Sequence, residues 1–218
     1  MSQLTAEILL RAYAAGIFPM AETSDDPTLY WVDPDMRGIL PLDSFHLPKK
    51  LRRIIRRGDF RVTCDQAFED VMRLCAEPTE DRPDTWINEE IVRLYSDLFA
   101  INCAHSIECW NGTDLVGGLY GVSLGSAFFG ESMFSRQTNA SKVALAHLVA
   151  RLRAGGYSLL DTQFVTNHLA RFGVIEIPRR NYLKMLGDAM ERRASFPREL
   201  TNPLDYLRQL EPDDPSAG

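Results

Sequence analysis

The clearest alternation of apolar and polar positions runs from Ala104 to Gln163. Asn111-Gly112 is a tight-turn signal after a first apolar strand, and Leu124-Gly125-Ser126 separates a second strand from a third. Connections this short join neighbouring antiparallel strands. The pattern therefore predicts a three-stranded antiparallel meander in the middle of the chain.

A helix and a further strand are predicted after the meander. Apolar residues recur at helical spacing over residues 140–153, and Gly155-Gly156 ends that pattern. Residues 157–163 then have the pattern of a buried strand, with Asp161 and Gln163 at its end. Strands, a helix and a strand in this order predict an α+β fold with an acyltransferase-like core.

Further short elements are expected on the N-terminal side of the meander. Three segments carry their apolar residues on one helical face: residues 4–16, 65–75 and 89–99. Asn88 is placed to cap the last of these helices, because its side chain can accept a hydrogen bond from a free N–H of the first turn. A short strand is predicted over residues 60–63.

The composition is that of an ordinary globular protein, with 45% hydrophobic and 25% charged residues. No apolar run is long enough for a membrane span, and the N-terminus lacks the pattern of a signal peptide. The four cysteines contain no C-x-x-C pair, which favours reduced thiols, and the four histidines lack metal-ligand spacing. We therefore expect a cytoplasmic protein with no membrane partner, no bound metal and no cofactor.

One short segment is strongly basic. The net charge of −6 gives no sign of a bulk nucleic-acid binder, so any contact with RNA must use a local patch. Seven basic residues between positions 49 and 61, against the single Asp59, give this segment a charge of +6. Such a cluster suits phosphates, with binding that weakens as salt rises, although a solvated surface helix is the alternative. The candidate RNA contacts are Lys49, Lys50, Arg52, Arg53, Arg56 and Arg57.

Several catalytic classes lack their motif in this chain. Gly130-Glu131-Ser132-Met133-Phe134 is not a nucleophile elbow, because the last glycine of G-x-S-x-G is missing. No G-x-x-x-x-G-K-[ST] or G-x-G-x-x-G loop is present, which argues against nucleotide hydrolysis and dinucleotide binding. The chemistry must therefore come from another constellation of residues.

Six unusual motifs follow one another along the chain: Gly16-Ile17-Phe18-Pro19-Met20, Thr85-Trp86-Ile87, Gly117-Gly118-Leu119-Tyr120-Gly121, Gly130-Glu131-Ser132-Met133-Phe134-Ser135, Asn139-Ala140-Ser141-Lys142 and Glu176-Ile177-Pro178-Arg179-Arg180. In sequence and order they resemble the bacterial leucyl/phenylalanyl-tRNA–protein transferases. The resemblance implies an acetyltransferase-like (GNAT-type) catalytic core over residues 63–200, with a mainly antiparallel sheet flanked by helices. It also implies a small N-terminal α+β domain over residues 1–62. Residues 201–218 are expected to form a partly flexible extension.

The resemblance maps the family's proposed catalytic aspartate and glutamine onto Asp161 and Gln163. On a regular strand their side chains share one face, because Thr162 lies between them. A carboxylate and an amide there could position or deprotonate an incoming α-amine and hold an acyl carbonyl. The alternative is that both residues only cap the strand end.

The substrate-binding residues are expected around the same strand end. Glu131 could take the α-ammonium of the aminoacyl group or part of the terminal ribose, and Gly130 would let substrate approach the backbone closely. Apolar and aromatic side chains are expected to line a pocket for leucine or phenylalanine, although each alone could be an ordinary core residue. These candidates are Trp31, Trp86, Leu119, Phe128, Leu148, Leu152 and Leu160.

The resemblance implies transfer of Leu or Phe, and less well Met, from aminoacyl-tRNA to proteins that begin with Arg or Lys. The product would be marked for degradation by the N-degron (N-end rule) pathway. We expect these two substrates as partners and a monomeric enzyme. A CoA-dependent N-acetyltransferase is a disfavoured alternative, because residues 136–141 lack the small residues that let backbone amides close on a phosphate. The other alternative is a non-catalytic RNA-binding module that uses the basic segment alone.

Overall fold

The structure is a computed structural model that describes residues 4–24, 26, 28–79 and 84–208. The strands in this part of the chain are β1 Phe18–Ala21, β2 Leu29–Val32, β3 Met36–Ile39, β4 Arg61–Cys64, β5 Ala104–Asn111, β6 Asp114–Leu124, β7 Ala127–Ser135, β8 Leu159–Gln163 and β9 Ile175–Pro178. Seven of them form one sheet, in the order β4-β5-β6-β7-β8-β3-β9, and β1 pairs with β2 in a separate hairpin. All pairings in the large sheet are antiparallel except that of β7 with β8.

Helices cover the large sheet. Those in the described residues are α1 Ala6–Ala14, α2 Lys49–Arg57, α3 Phe68–Ala76, α4 Glu89–Ala100, α5 Ala140–Ala154, α6 Asn167–Ala170, α7 Arg179–Met190 and α8 Pro203–Tyr206. The predicted cap is confirmed, since the Asn88 side chain accepts a hydrogen bond of 2.8 Å from the Ile91 N–H. Both predicted meander turns are also confirmed, with Gly112 at φ +59° and Gly125 at φ +60°. Glycine adopts this left-handed conformation without steric cost.

The two faces of the sheet bury separate apolar cores. Side chains of α5 pack on one face with Phe128 and Leu160, and side chains of α3, α4 and α7 pack on the other with Phe129. Consecutive residues of a strand point to opposite faces, which places the neighbours Phe128 and Phe129 in different cores. The predicted α+β class with a mainly antiparallel sheet and flanking helices is confirmed.

The expected domain boundary at residue 62 stays a prediction. Of the first 62 residues, β3 joins the large sheet between β8 and β9, and α2 packs against α5. Part of the expected C-terminal extension, residues 209–218, lies outside the described residues. In the described part of the chain, no helix combines the length and apolarity needed to cross a membrane.

The parallel pair β7 and β8 separates partway along its length. The last paired residues are Phe129 and Asp161, beyond which β7 continues to Ser135 and β8 to Gln163. Strands that diverge leave an opening in the sheet between their ends. The candidate functional site lies around this opening.

Candidate active site

A cavity of about 560 Å³ lies between the diverging ends of β7 and β8. Its wall is mostly apolar, and it draws on both faces of the sheet. Residues 130–135 of β7 form one side, and residues 162–164 at the end of β8 form another. Further parts of the wall come from β1, β6, α5, α6 and Trp86. A concave, largely apolar cavity with a few polar groups is the usual form of a small-molecule site.

Seven of the residues expected at the site line this cavity. They are Trp86, Leu119, Gly130, Glu131, Leu148, Leu160 and Gln163. They come from five separate parts of the chain, which the fold brings to one place. Their assignment to catalysis or substrate binding stays a prediction.

Three expected pocket residues lie elsewhere. Trp31 is on β2 of the small hairpin, with 40% of its surface exposed. Phe128 precedes the point where β7 leaves β8, and its ring stacks in the core against Phe196. Leu152 lies one helical turn beyond Leu148 on α5 and is fully buried in the core. Their apolar and aromatic character made these residues pocket candidates, but the sequence does not show how far the cavity extends.

Asp161 also lies behind the cavity wall, not in it. Its carboxylate is 0% exposed and is held by Arg37, whose Nε lies 3.0 Å from both oxygens and whose Nη2 lies 2.7 Å from Oδ2. The Tyr182 hydroxyl donates a further hydrogen bond of 2.7 Å to Oδ2. Charge-assisted pairing of this kind fixes a carboxylate in position. The carboxylate of Asp161 is therefore fixed in place and does not reach the cavity.

Gln163 is the residue that Asp161 holds most directly. The backbone N–H of Gln163 donates a hydrogen bond of 2.8 Å to Asp161 Oδ1. Gln163 has φ +60°, and the pairing of β8 with β3 shifts register at this point. A left-handed glutamine is strained, so the buried Asp161–Arg37 pair is what maintains this conformation. The regular alternation expected of Asp161 and Gln163 is broken there, and only Gln163 reaches the cavity.

Glu131 is the one carboxylate among the described residues that line the cavity. It accepts hydrogen bonds from the Tyr13 hydroxyl at 2.7 Å, the Tyr95 hydroxyl at 3.2 Å and Gln163 Nε2 at 3.2 Å. The oxygens of the two tyrosine hydroxyls also lie within hydrogen-bonding distance of each other. Burial and the nearby Asp161 raise the pKa of Glu131, the tyrosine hydroxyls and Arg37 lower it, and the net result is a pKa of about 7. At neutral pH this carboxyl group is therefore present in both its protonated and its charged form.

Gly130 leaves open space in front of the backbone. A methyl group built on it would meet only the Asp161 carbonyl oxygen at 3.5 Å and Leu160 Cδ1 at 4.0 Å, both ordinary contacts. Packing within the protein therefore does not require glycine at this position. The free volume beside Gly130 belongs to the cavity.

Sequence reasoning missed Arg37, Tyr13, Tyr95 and Tyr182. The one available signal was an arginine within the otherwise apolar segment 36–40, where a charged side chain needs a buried partner. Tyr13 was expected only as part of an apolar helical face. The periodicity indicates that these side chains are buried, but their partners lie far away in sequence.

The turn that enters α5 does not form a phosphate cradle. The N–H groups of Arg136 and Gln137 both bond to the Val116 carbonyl, and the Ala140 N–H bonds to the Gln137 carbonyl. The Arg136 guanidinium pairs with Glu77 at 2.6 Å. Backbone amides used in this way are not free to grip a pyrophosphate. This geometry agrees with the prediction that CoA binding is disfavoured.

The basic segment forms the helix α2. Its Leu51 and Ile54 are buried, while the six candidate RNA contacts are all exposed. Gly58 ends the helix in the left-handed conformation at φ +69°. Arg57 pairs with Asp59 at 2.6 Å. The result is a surface with a dense positive charge on one side of the protein.

Comparison with known proteins identifies the family. The sequence profile of leucyl/phenylalanyl-tRNA protein transferase matches residues 39–187, and that of its N-terminal domain matches residues 2–35. The chain is 61% identical over 201 residues to the leucyl/phenylalanyl-tRNA–protein transferase of Paramagnetospirillum magneticum, covering 92% of this chain and 96% of that protein. It is 56% identical over 196 residues to that of Rhodospirillum rubrum, covering 90% and 92%.

One solved structure is a more distant match. L-PGS from Bacillus licheniformis aligns with a TM-score of 0.38 and 12% identity, over 77% of this chain and 56% of that one. Likeness at this level supports no conclusion about fold or activity. The profiles and the close relatives, in contrast, span nearly the whole chain, so the protein belongs to the leucyl/phenylalanyl-tRNA–protein transferase family and is an aminoacyltransferase.

Proposed function

We propose that this enzyme transfers leucine or phenylalanine, and less well methionine, from aminoacyl-tRNA to the α-amine of proteins that begin with Arg or Lys. One observation carries the proposal. An apolar cavity opens between β7 and β8, and the amide of Gln163 and the carboxylate of Glu131 meet at its wall. An apolar side chain and an ester can therefore occupy the same cavity. The acetyltransferase-like (GNAT-type) core is part of this proposal, supported by the separation of the parallel pair.

The apolar wall suits the side chain of the transferred amino acid. Leucines from four elements line the cavity: Leu119, Leu145, Leu148, Leu160 and Leu169. A hydrophobic pocket separates substrates that differ by one methylene by only about 1–3 kcal/mol. Overlap among Leu, Phe and Met is therefore the expected outcome of this wall.

The chemistry is aminolysis of an activated ester. No covalent intermediate with the enzyme is needed, because the amine can attack the aminoacyl ester directly. The enzyme gains rate by aligning the two reactants and by stabilising the developing oxyanion. Gln163 is the candidate for both tasks. Asp161 is a positioning residue, because its carboxylate holds the Gln163 backbone N–H and does not line the cavity.

The tRNA would contact α2 through its phosphates. The six exposed basic residues of this helix stand out against the overall charge of −6. Repulsion by the remaining acidic surface would orient the tRNA towards this side. Since the donor is a charged tRNA, we expect the enzyme to act in the cytoplasm. We also expect it to be a monomer.

The acceptors and the fate of the product complete the proposal. An N-terminal Arg or Lys places a second positive charge near the attacking amine, so a site with acidic character would favour such acceptors. Addition of a bulky apolar residue converts the N-terminus into a signal that a degradation pathway of the N-degron type can read. No cofactor is required for any of these steps.

A peptide-transfer assay tests the proposal. Labelled leucine is supplied as Leu-tRNA to two peptides that differ only in their first residue, Arg or Gly. We expect label on the Arg peptide alone. Gln163→Ala should lower the single-turnover rate by about 10²–10³-fold, as loss of an oxyanion-hole donor does in other acyl-transfer enzymes. Binding of Leu-tRNA should be unchanged.

Gln66→Ala is the matched control, because Gln66 is an exposed glutamine away from the cavity. It should transfer leucine at the parent rate. Equal label on both peptides would contradict the acceptor assignment. Tight tRNA binding without transfer of Leu, Phe or Met would favour a non-catalytic RNA-binding module instead, and consumption of acetyl-CoA would favour an acetyltransferase.

A further inference from the structure

Aminolysis of an ester moves one proton. The attacking nitrogen carries one proton too many once its bond to the acyl carbon has formed, and the leaving ribose oxygen needs one. A group that accepts the first and supplies the second accelerates both steps. Such a group must reach the cavity and must be able to change its charge there.

Asp161 does not meet these requirements. Its two oxygens together accept hydrogen bonds from the Arg37 guanidinium, the Tyr182 hydroxyl and the Gln163 N–H. It is 0% exposed and does not line the cavity. A proton from a bound amine has no direct path to it, and protonation would break a buried ion pair.

Glu131 meets both requirements. Its carboxylate lines the cavity and lies 3.2 Å from Gln163 Nε2, so it is next to the amide proposed to hold the reacting ester. The hydroxyls of Tyr13 and Tyr95, which come from α1 and α4, hold the carboxylate from behind. This leaves the cavity as the side from which a proton can arrive.

We propose that Glu131 carries the proton of the transfer reaction, accepting it from the attacking amine and returning it to the leaving ribose oxygen. The proposal rests on the proposed function, because it requires an aminoacyl ester in the cavity. It makes Glu131 a catalytic residue, in addition to any part it takes in binding substrate.

The step balances without a further reactant. The neutral α-amine of the acceptor attacks the acyl carbon, and a new C–N bond forms while the carbonyl electron pair moves onto oxygen. Glu131 takes a proton from the nitrogen. The carbonyl then reforms, the bond between the acyl carbon and the ribose oxygen breaks, and that oxygen leaves with the bonding pair and receives the proton from Glu131. The products are an amide and a free hydroxyl, and Glu131 is charged again.

The surroundings of Glu131 allow this exchange near neutral pH. The charged or titratable groups that face it are Tyr13 on α1, Tyr95 on α4, Asp161 on β8 and Arg37 on β3. Burial and Asp161 raise its pKa, and Tyr13, Tyr95 and Arg37 lower it, with a result of about 7. His168 of α6 lines the same cavity, and burial lowers its pKa. A group with a pKa near the working pH is best suited to both accept and donate a proton.

The test is the pH dependence of single-turnover transfer from Leu-tRNA to an Arg peptide. The α-amine of the peptide has a pKa of about 8, so it contributes one inflection in every variant. In the parent enzyme, the rate at low pH should rise with the loss of two protons, one from Glu131 and one from the amine. In Glu131→Gln it should rise with the loss of the amine proton only, and be about 10²-fold lower at its plateau.

Two further variants separate this role from a structural one. Tyr13→Phe removes a hydroxyl that lowers the Glu131 pKa, so the lower inflection should move above 7. Gln163→Ala should reduce the rate but keep both inflections. Melting temperature and Leu-tRNA affinity are measured for each variant, to show that the protein remains folded and binds its donor.

The outcomes are distinguishable. If Glu131→Gln keeps both inflections and only binds Leu-tRNA less tightly, Glu131 is a binding residue and the proton role is wrong, although the proposed function stands. An unchanged lower inflection in Tyr13→Phe would also overturn the proton role. If the parent enzyme transfers nothing from Leu-, Phe- or Met-tRNA at any pH, the proposed function itself fails.

Discussion

The guanidinium of Arg37 and the carboxylate of Asp161 form an ion pair that is closed to solvent, with 2.7 Å between Nη2 and Oδ2 and side-chain exposures of 1% and 0%. Arg37 Nη1 also donates a hydrogen bond of 3.0 Å to the Gly16 carbonyl, at the end of the first helix. The guanidinium lies between the rings of Phe18 and Tyr182, 4.6 Å from each centroid. The pair therefore ties the N-terminal segment to the strand that carries Gln163.

Removal of Arg37 should destabilise the protein strongly. Arg37→Met leaves the buried charge of Asp161 without its partner, which costs about 3–5 kcal/mol in comparable buried pairs. Unfolding in urea measures this loss. Adding Asp161→Leu to Arg37→Met should restore part of the stability, because the unpaired charge is gone, but transfer activity should stay low since Gln163 has lost its anchor.

Arg73 provides the matched control for that measurement. It pairs with Glu69 and Glu89 on the surface, where its side chain is 49% exposed. Exposed pairs of this kind contribute at most about 1 kcal/mol. If Arg37→Met cost no more than Arg73→Met, the buried pair would not stabilise the end of β8 as described.

Gly130 should be dispensable for folding but needed for transfer. A methyl group there makes only ordinary contacts within the protein, so Gly130→Ala should leave the free energy of unfolding within about 0.5 kcal/mol of the parent value. Gly130 lines the cavity, so the same methyl group should narrow it and obstruct the substrate ester. We expect a loss of transfer of at least tenfold, measured with saturating Arg peptide.

Gly187→Ala is the control for this substitution. Gly187 lies on α7, and a methyl group built on it meets no atom within 4 Å. Alanine is the better helix former, so this variant should gain up to about 1 kcal/mol with unchanged activity. A Gly130→Ala enzyme that is equally stable and fully active would show that substrate does not approach the backbone there.

Local pattern predicted the elements, but not the partners of the buried polar residues. The helix cap at Asn88 and the turn at Gly112 could be predicted, because in each case the sequence signal lies within a few residues of the structure it determines. Arg37 and Asp161 are 124 positions apart, and no periodicity connects them. Their meeting depends on β3 entering the large sheet beside β8, a crossover that the sequence does not specify.

The limits of the cavity were unpredictable for a related reason. Leu148 and Leu152 lie on the same face of α5 and are equivalent in the sequence pattern, yet only Leu148 lines the cavity. The difference arises from where β7 and β8 separate. That point is set by the pairing of two strands, with α5 between them in sequence. Prediction from one sequence therefore gives the apolar face, and the structure gives the part of it that a substrate can touch.

The basic surface of α2 should bind tRNA through charge alone. Arg53→Ala together with Arg56→Ala removes two exposed guanidiniums while the buried Leu51 and Ile54 stay in place. The affinity for Leu-tRNA should fall, and the slope of log affinity against log salt should decrease by roughly 0.7–0.9 for each phosphate that the variant no longer neutralises. Titrations at several salt concentrations measure both quantities.

Arg192→Ala is the control, since Arg192 is an exposed arginine just beyond the end of α7. It should leave the salt slope unchanged. If the α2 variant kept the parent slope while Arg192→Ala reduced it, the tRNA would bind on another face of the protein.

The half-buried carboxyl group of Glu131 should make the protein less stable as the pH rises. Its pKa is about 7 in the folded state, against an ordinary value of 4.5. Between these two values the folded state keeps a proton that the unfolded state has lost, so the stabilisation is fully present below pH 4.5 and is lost as the pH rises through 7. At about 1.4 kcal/mol for each pKa unit, the loss is about 3 kcal/mol. Glu131→Gln removes this ionisation while keeping a side chain that can bond to Tyr13 and Gln163.

Urea unfolding of the parent protein and of Glu131→Gln, from pH 5 to pH 8.5, measures the effect. The difference in stability should favour the variant increasingly as the pH rises, and level off above pH 8. Glu108, whose burial also raises its pKa, is present in both proteins and cancels in the difference. Glu176→Gln, at an exposed position on β9, is the surface control for replacing a glutamate with glutamine. A constant difference between the parent and Glu131→Gln would mean that Glu131 does not change its charge in this range, which would remove the basis for its exchange of protons with the substrate.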